Sequence, residues 1–243
     1  MVWSACTPAV APSNRGGGDE AASSKAGEES KQGEGKGEPD VTATEDLMRE
    51  HGVLRRALIV YRETAGRLRA NPPTVPPEAL QRTARLFRAF GEDYHERKLE
   101  ETYIFPVVKS AGGPAAAYPD ILLAQHTRGR EITDYVLGAT QAGKITGGAR
   151  QLADVLDAFV RMYEAHTAAE DTIVFPAWKK ALPPKRLEEL GEQFEEIERA
   201  TFGKDGFDDA VAQMAKIEGV LGLADLATFL APPPPALPEA KTG

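Results

Sequence analysis

Two stretches of this chain carry the same unusual order of residues, and that repetition constrains the fold more than any other feature. Glu92 to Pro106 reads EDYHERKLEETYIFP, and Arg161 to Trp178 reads RMYEAHTAAEDTIVFPAW. Each holds a histidine, then an acidic pair, then an aliphatic-Phe-Pro ending at Phe105-Pro106 or Phe175-Pro176. The chain has 4 histidines, and the remaining two, His51 and His126, lie in the segments that precede these stretches. One histidine per helix over four helices, with two acidic pairs, is the inventory of a two-metal site inside a helical bundle.

Apolar spacing predicts those helices. Thr42 and Glu45 have capping-box spacing, and Asp46 suits the positive end of a helix. Leu47, His51, Leu54, Leu58 and Tyr61 recur at helical intervals, which puts His51 in the core-facing stripe. A proline-rich connection, Asn71 to Pro77, leads into a second helix from about Glu78 to Phe105. Leu80, Phe87, Phe90, Gly91, Tyr94 and His95 form its buried face. Pro106 is expected to end it, because proline lacks the N–H and disfavours helix at the residue before it. A third helix is expected from Pro119-Asp120, with Asp120 as a cap and Leu122, His126, Thr133 and Leu137 on one stripe. The fourth carries Leu152, Leu156, Phe159, Tyr163, His166, Glu170 and Ile173, and is expected to stop before Pro176. Shorter amphipathic helices follow around 185–200, 208–219 and 223–230, with Leu187, Leu190, Phe194 and Ile197 covering the bundle.

The class is therefore all-α, an up-down four-helix bundle with extra C-terminal helices. The expected organisation is a disordered N-terminal leader at 1–40, a bundle at 41–180, C-terminal helices at 181–232 and a disordered Pro-rich tail at 233–243. The leader is rich in Gly, Ser, Glu and Lys and has little apolar surface to offset ordering. A formal net charge of -8 argues against non-specific nucleic-acid binding and against a membrane-surface role. No apolar run approaches the roughly 18–20 residues that span a bilayer. With 1 cysteine, Cys6, neither an internal disulfide nor a thiolate metal cage is available. A cytoplasmic protein is the default expectation. The alternative is an exported lipoprotein attached through Cys6, with its upstream signal missing from this sequence.

Positions four apart lie one above the other on an α-helix, so His166 and Glu170 aim into one cavity. In the second helix His95 and Glu100 are five apart, about 140° around an α-helix. A one-residue π-bulge restores a shared face. Glu100 is chosen over its neighbour Glu101 by register, since it stands as far before Phe105 as Glu170 stands before Phe175. Asp171 is the corresponding alternate to Glu170. The candidate metal ligands are His51, His95, Glu100, His126, His166 and Glu170. Six such ligands exceed what one tetrahedral zinc takes, and imidazole with carboxylate suits iron, less often manganese.

These residues resemble hemerythrin-like domains, also called HHE cation-binding domains. The likeness rests on His-then-Glu pairs closed by Phe-Pro and on one lone histidine in each alternate helix (REHGVLRR at His51, AQHTRGR at His126). It covers about Thr42 to Trp178. It implies an up-down bundle holding two Fe ions as a non-haem di-iron centre, with the six residues above as ligands. The oxygen-carrying hemerythrins place a second histidine on the third helix where this chain has Arg130. Four histidines and two carboxylates look instead like the iron-centre repair branch, whose cysteine-bearing N-terminal domain is absent here.

The function expected from this is binding or sensing of a small diatomic ligand, O2 or NO, at an open iron position. Two alternatives use the same centre. One is an oxidoreductase acting on NO, peroxide or Fe(II), for which Tyr163 or Asp171 would supply protons. The other is an iron donor for damaged clusters. A helical interaction module with a structural metal is the alternative of another class.

Overall fold

The computed structural model describes residues 41–235; the expected leader with Cys6, and the tail beyond Pro235, lie outside these. The described residues are helical, with no strand among them. Helix α1 (Ala43–Leu68) begins where the sequence places its cap: Thr42 Oγ1 accepts the Glu45 N–H at 3.3 Å. Its buried residues include Leu47, His51, Leu54, Leu58 and Tyr61. Helix α2 (Pro77–Leu86) opens the second long rod. It runs directly into a π-helical stretch, Phe87–Ile104, and then into α3 (Phe105–Ala111). After a 3-10 turn at Pro114–Ala117, α4 (Tyr118–Ala139) forms the third rod. The fourth is α5 (Ala149–Ala169), a short π turn at Glu170–Val174, and α6 (Phe175–Ala181).

Neither proline stops its rod. Pro106 and Pro176 each sit in the first turn of a helix that continues the same axis. Just before each, the helix is wound wider: the Phe105 N–H bonds to the Glu100 carbonyl, and the Phe175 N–H to the Glu170 carbonyl, both i to i−5. A wider turn moves the carbonyls that would otherwise face the proline ring, so the chain passes through without a break. The expected single-residue bulge is thus part of a longer π stretch in the second rod. Asp120 is not a cap: α4 starts two residues earlier, and Asp120 pairs with Lys109 at 2.6 Å instead.

The C-terminal segment forms α7 (Pro184–Phe202) and α8 (Gly206–Leu221), then a 3-10 turn at Leu226–Phe229. Asp205 caps α8 by accepting the Asp208 N–H at 2.8 Å. Leu190 and Phe194 of α7 are buried, and Phe194 lies flat against Trp178 with ring centroids 6.0 Å apart. Helix α8 packs across α1 and α2, where Arg56 holds Glu218 through two hydrogen bonds of 2.8 and 2.6 Å.

Inside the bundle the core has two layers. One is aromatic, with Tyr61, Phe87, Phe159 and Tyr163 meeting edge to face or tilted at 4.5 to 6.5 Å. Each such buried ring contributes about 1.5–3 kcal/mol. The other layer is polar, and it holds all four histidines.

Candidate metal centre

The wide turns decide where the acids point. In a helix bonded i to i+5, more than 3.6 residues fill each turn, so residues five apart come close to alignment. His95 and Glu100 are therefore brought together, with Nε2 and Oε1 3.3 Å apart. On the fourth rod His166 and Glu170 are four apart and meet at 3.0 Å. The lone histidines of α1 and α4 enter from the facing rods. His51 Nε2 is 3.0 Å from His95 Nε2, and His126 Nε2 is 3.2 Å from His166 Nε2.

Glu100 lies between the two histidine pairs. Its Oε1 faces His95 and its Oε2 faces His126, at 3.3 and 3.4 Å. Glu170 Oε2 stands 3.0 Å from His166 and 3.5 Å from His51. All six side chains are buried, none more than 3% exposed. The four carboxylate oxygens of Glu100 and Glu170 have no hydrogen-bond partner among the described residues. Burying such groups without a partner costs several kcal/mol, and a cation is the natural partner. Ligands about 2.1 Å from an ion lie about 3 Å from one another, which matches the spacing of these donors. Donor atoms within 4.8 Å of one another gather in His51, His95 and Glu100, in Glu100, His126, His166 and Glu170, and, toward the edge, in Glu96, Glu101 and His126. The donor set, imidazole and carboxylate without sulfur, fits iron.

Every imidazole is held from behind through Nδ1, leaving Nε2 to face inward. His51 Nδ1 is 2.7 Å from Asp171, His126 Nδ1 2.9 Å from Glu101, His95 Nδ1 2.5 Å from Glu50, and His166 Nδ1 2.9 Å from the Gln125 amide oxygen. Such partners fix the tautomer and ring orientation of ligating histidines. The second acid of each pair thus grips a histidine of a facing rod. Sequence reasoning did not single out Glu50 and Gln125. Aligning the two halves shows them, since each immediately precedes a lone histidine. The same alignment shows Arg55 and Arg130, four residues after His51 and His126. Arg55 pairs with Asp171, and Arg130 with Glu101 at 2.5 Å and Glu96 at 2.9 Å. The guanidinium of Arg130 thereby fills the acidic notch formed by Glu96, Glu101 and His126.

Phe105 and Phe175 explain the repeated aromatic. Each lies nearly parallel to a lone histidine, Phe175 on His51 at 5.3 Å and Phe105 on His126 at 5.4 Å. Tyr163 borders the polar layer, its hydroxyl donating to Glu96 at 2.7 Å. Gly129 makes room for that phenol: a Cβ there would stand 2.0 Å from the Tyr163 hydroxyl.

The electrostatics are those of a site that holds protons until a cation displaces them. Burial and the neighbouring Glu100 push Glu170 well above the usual carboxylate range. Burial also acts to raise Glu100, but the His95 and His126 imidazoles outweigh it and hold that carboxyl well below the range. For His126, burial is outweighed by Glu96, Glu100 and Glu101, which raise it to about 9. His166, buried and beside His126, falls well below the ordinary histidine value. Metal ligands must be deprotonated, so uptake at this site releases protons and weakens at low pH.

Comparison with known proteins agrees. The Hemerythrin HHE cation binding domain family matches residues 42–178 and, overlapping that, residues 118–230. The chain is 44% identical over 205 residues to an uncharacterized protein of Mycobacterium bovis and to one of Mycobacterium tuberculosis; the match covers 80% of this chain and 79% of each relative. No solved structure matches the chain.

Proposed function

From the premise that this chain belongs to the Hemerythrin HHE cation binding domain family, we propose that it holds two irons and binds or senses a small diatomic ligand, O2 or NO. The observation that carries this reading is Glu100. It offers one unpartnered oxygen to each histidine pair, in a buried layer where Glu170 offers two more. His51 and His95 serve one ion and His126 and His166 the other, with the two glutamates between them. Two imidazole nitrogens and the shared carboxylates would hold each ion, few enough donors to admit an external ligand. Iron bound there would supply one-electron chemistry and a binding position for the ligand.

The chain's own residues do the rest. Glu50, Asp171, Glu101 and Gln125 hold the imidazoles in one orientation. Phe175 covers the His51 ring and Phe105 the His126 ring, and Tyr163 joins the layer to the aromatic core beside His166. The test is anaerobic loading with Fe(II), then exposure to air or to NO. A ligand-dependent optical band that reverses on degassing supports the reading; a spectrum unchanged by either gas defeats it.

One observation favours a second reading, an oxidoreductase acting on peroxide, NO or Fe(II). Tyr163, Glu96, Arg130, Glu101 and His126 form a continuous hydrogen-bonded chain at 2.5 to 2.9 Å. It leads from the buried phenol to Glu101, whose side chain is 23% exposed. Arg130 keeps its protons and orients the two carboxylates, so the proton donor beside the layer would be the Tyr163 phenol, which donates to Glu96. Turnover beyond one equivalent per metal pair, lost in Tyr163→Phe, distinguishes this reading from simple binding.

A further inference from the structure

The two halves of the centre correspond partner for partner, with one exception among the groups that hold the imidazoles. Asp171 grips His51 and is paired with Arg55; Glu101 grips His126 and is paired with Arg130. At Nδ1 these two rings are held alike, each by one carboxylate that an arginine also pairs, although Arg130 holds Glu96 as well. The remaining two are not. His95 Nδ1 rests on the Glu50 carboxylate at 2.5 Å, whereas His166 Nδ1 rests on the Gln125 amide oxygen at 2.9 Å.

Glu50 is 1% exposed and takes a second hydrogen bond from the Tyr94 hydroxyl at 2.9 Å. No lysine or arginine among the described residues pairs with it, so its charge is directed at His95. A carboxylate accepting from Nδ1 raises the basicity of the ligating imidazole. A neutral amide oxygen does so less. On the other side Glu96 acts on the His126 ring through space and makes no hydrogen bond to either imidazole of that pair, so the partner at Nδ1 remains the difference between His95 and His166. Glu96 stands 3.9 Å from His126 Nδ1, beyond hydrogen-bond reach, and its oxygens are taken by Tyr163 and Arg130.

Resting on the two-iron reading above, we propose that the two metal positions are redox-inequivalent. The ion on His51 and His95 is the harder to reduce. With iron bound at both positions, the one held by His126 and His166 would be the first to take up an electron from an external donor. Glu50 and Gln125 are positioning residues that set this order without touching either ion.

The experiment is a spectroelectrochemical titration of the iron-loaded full chain with mediator dyes as electron donors, iron per chain being counted first. The wild type is expected to hold two irons and to reduce in two separate one-electron waves. Glu50→Gln should shift the lower-potential wave upward and leave the other in place. Gln125→Glu should shift the higher-potential wave downward, so that either change narrows the gap. Tyr94→Phe, which removes a hydrogen bond that draws charge from Glu50, should shift the lower wave further down; it decides the matter if a buried charge change prevents folding. Two irons with a single wave, or waves unmoved by these variants or moved the other way round, overturn the inference and leave the two-iron reading standing. Fewer than two irons on the wild type overturns both.

Discussion

The first half of the bundle sets its histidine and acid five residues apart, and the second half sets them four apart, yet both deliver their candidate ligands to one layer. The difference is absorbed by backbone. Where the spacing is five, the π-helical winding runs from Phe87 to Ile104; where it is four, it shrinks to Glu170–Val174. Ligand geometry in such a fold is set by how many residues fill a turn as much as by which residues occupy it. The wide turn at each Phe-Pro also keeps the rod continuous, so Phe105 and Phe175 can each lie against a histidine of a facing rod.

If the halves are equivalent in delivering ligands, substitutions at matching positions should have matching effects. The largest is expected at Glu100 and Glu170, each reaching a histidine of either pair. Alanine at either should take metal content from two ions per chain to one or fewer, read by elemental analysis. His95→Ala and His166→Ala come next, each dropping the count below two; a centre that keeps two ions in His166→Ala does not use that imidazole. Glu101→Ala and Asp171→Ala should keep the count and weaken metal affinity about 10–100-fold, the usual effect of removing an outer partner of a ligand. Should Glu101→Ala cost more metal than Glu100→Ala, the bridging role belongs one residue later.

A stability contrast follows. Phe105→Ala and Phe175→Ala should each cost about 3–5 kcal/mol in denaturant unfolding, equally in the two halves. The smallest effect is the pH dependence that two acids of the first half contribute. Burial, opposed by the Thr133 hydroxyl, pushes Glu92 up to about 7, and burial with the nearby Glu50 does the same to Asp46. The folded state then binds these protons more tightly than the unfolded chain does. Their contribution is full below the ordinary carboxylate values and is lost as pH rises toward 7. Metal-free protein should therefore lose stability across that window, by at most about 3 kcal/mol from Glu92. Glu92→Gln should flatten the slope.

Much of this was legible in the sequence because apolar spacing and the histidine inventory act together. Residues such as Leu47, His51 and Leu54 declare a buried face, and four histidines on four such faces have few places to go but a shared layer. The Thr42 cap was readable for the same local reason. The path through Pro106 and Pro176 was not. Local rules say that proline ends a helix, and only the carbonyl pattern of the preceding turn shows that it need not. The roles of Glu101 and Asp171 were also hidden, since a carboxylate's partner on a facing rod cannot be read from its own helix. Glu50 and Gln125 left a faint signal, the residue before each lone histidine, visible once the halves are laid side by side.

On the reading proposed above, four imidazoles and two glutamates hold a pair of cations in one buried layer. The most direct test of that reading is the iron content of the full chain after anaerobic Fe(II) loading and removal of unbound metal. Two irons per chain are expected, released together as pH falls and the ligands take up protons. A folded chain that retains one iron, or none, contradicts it.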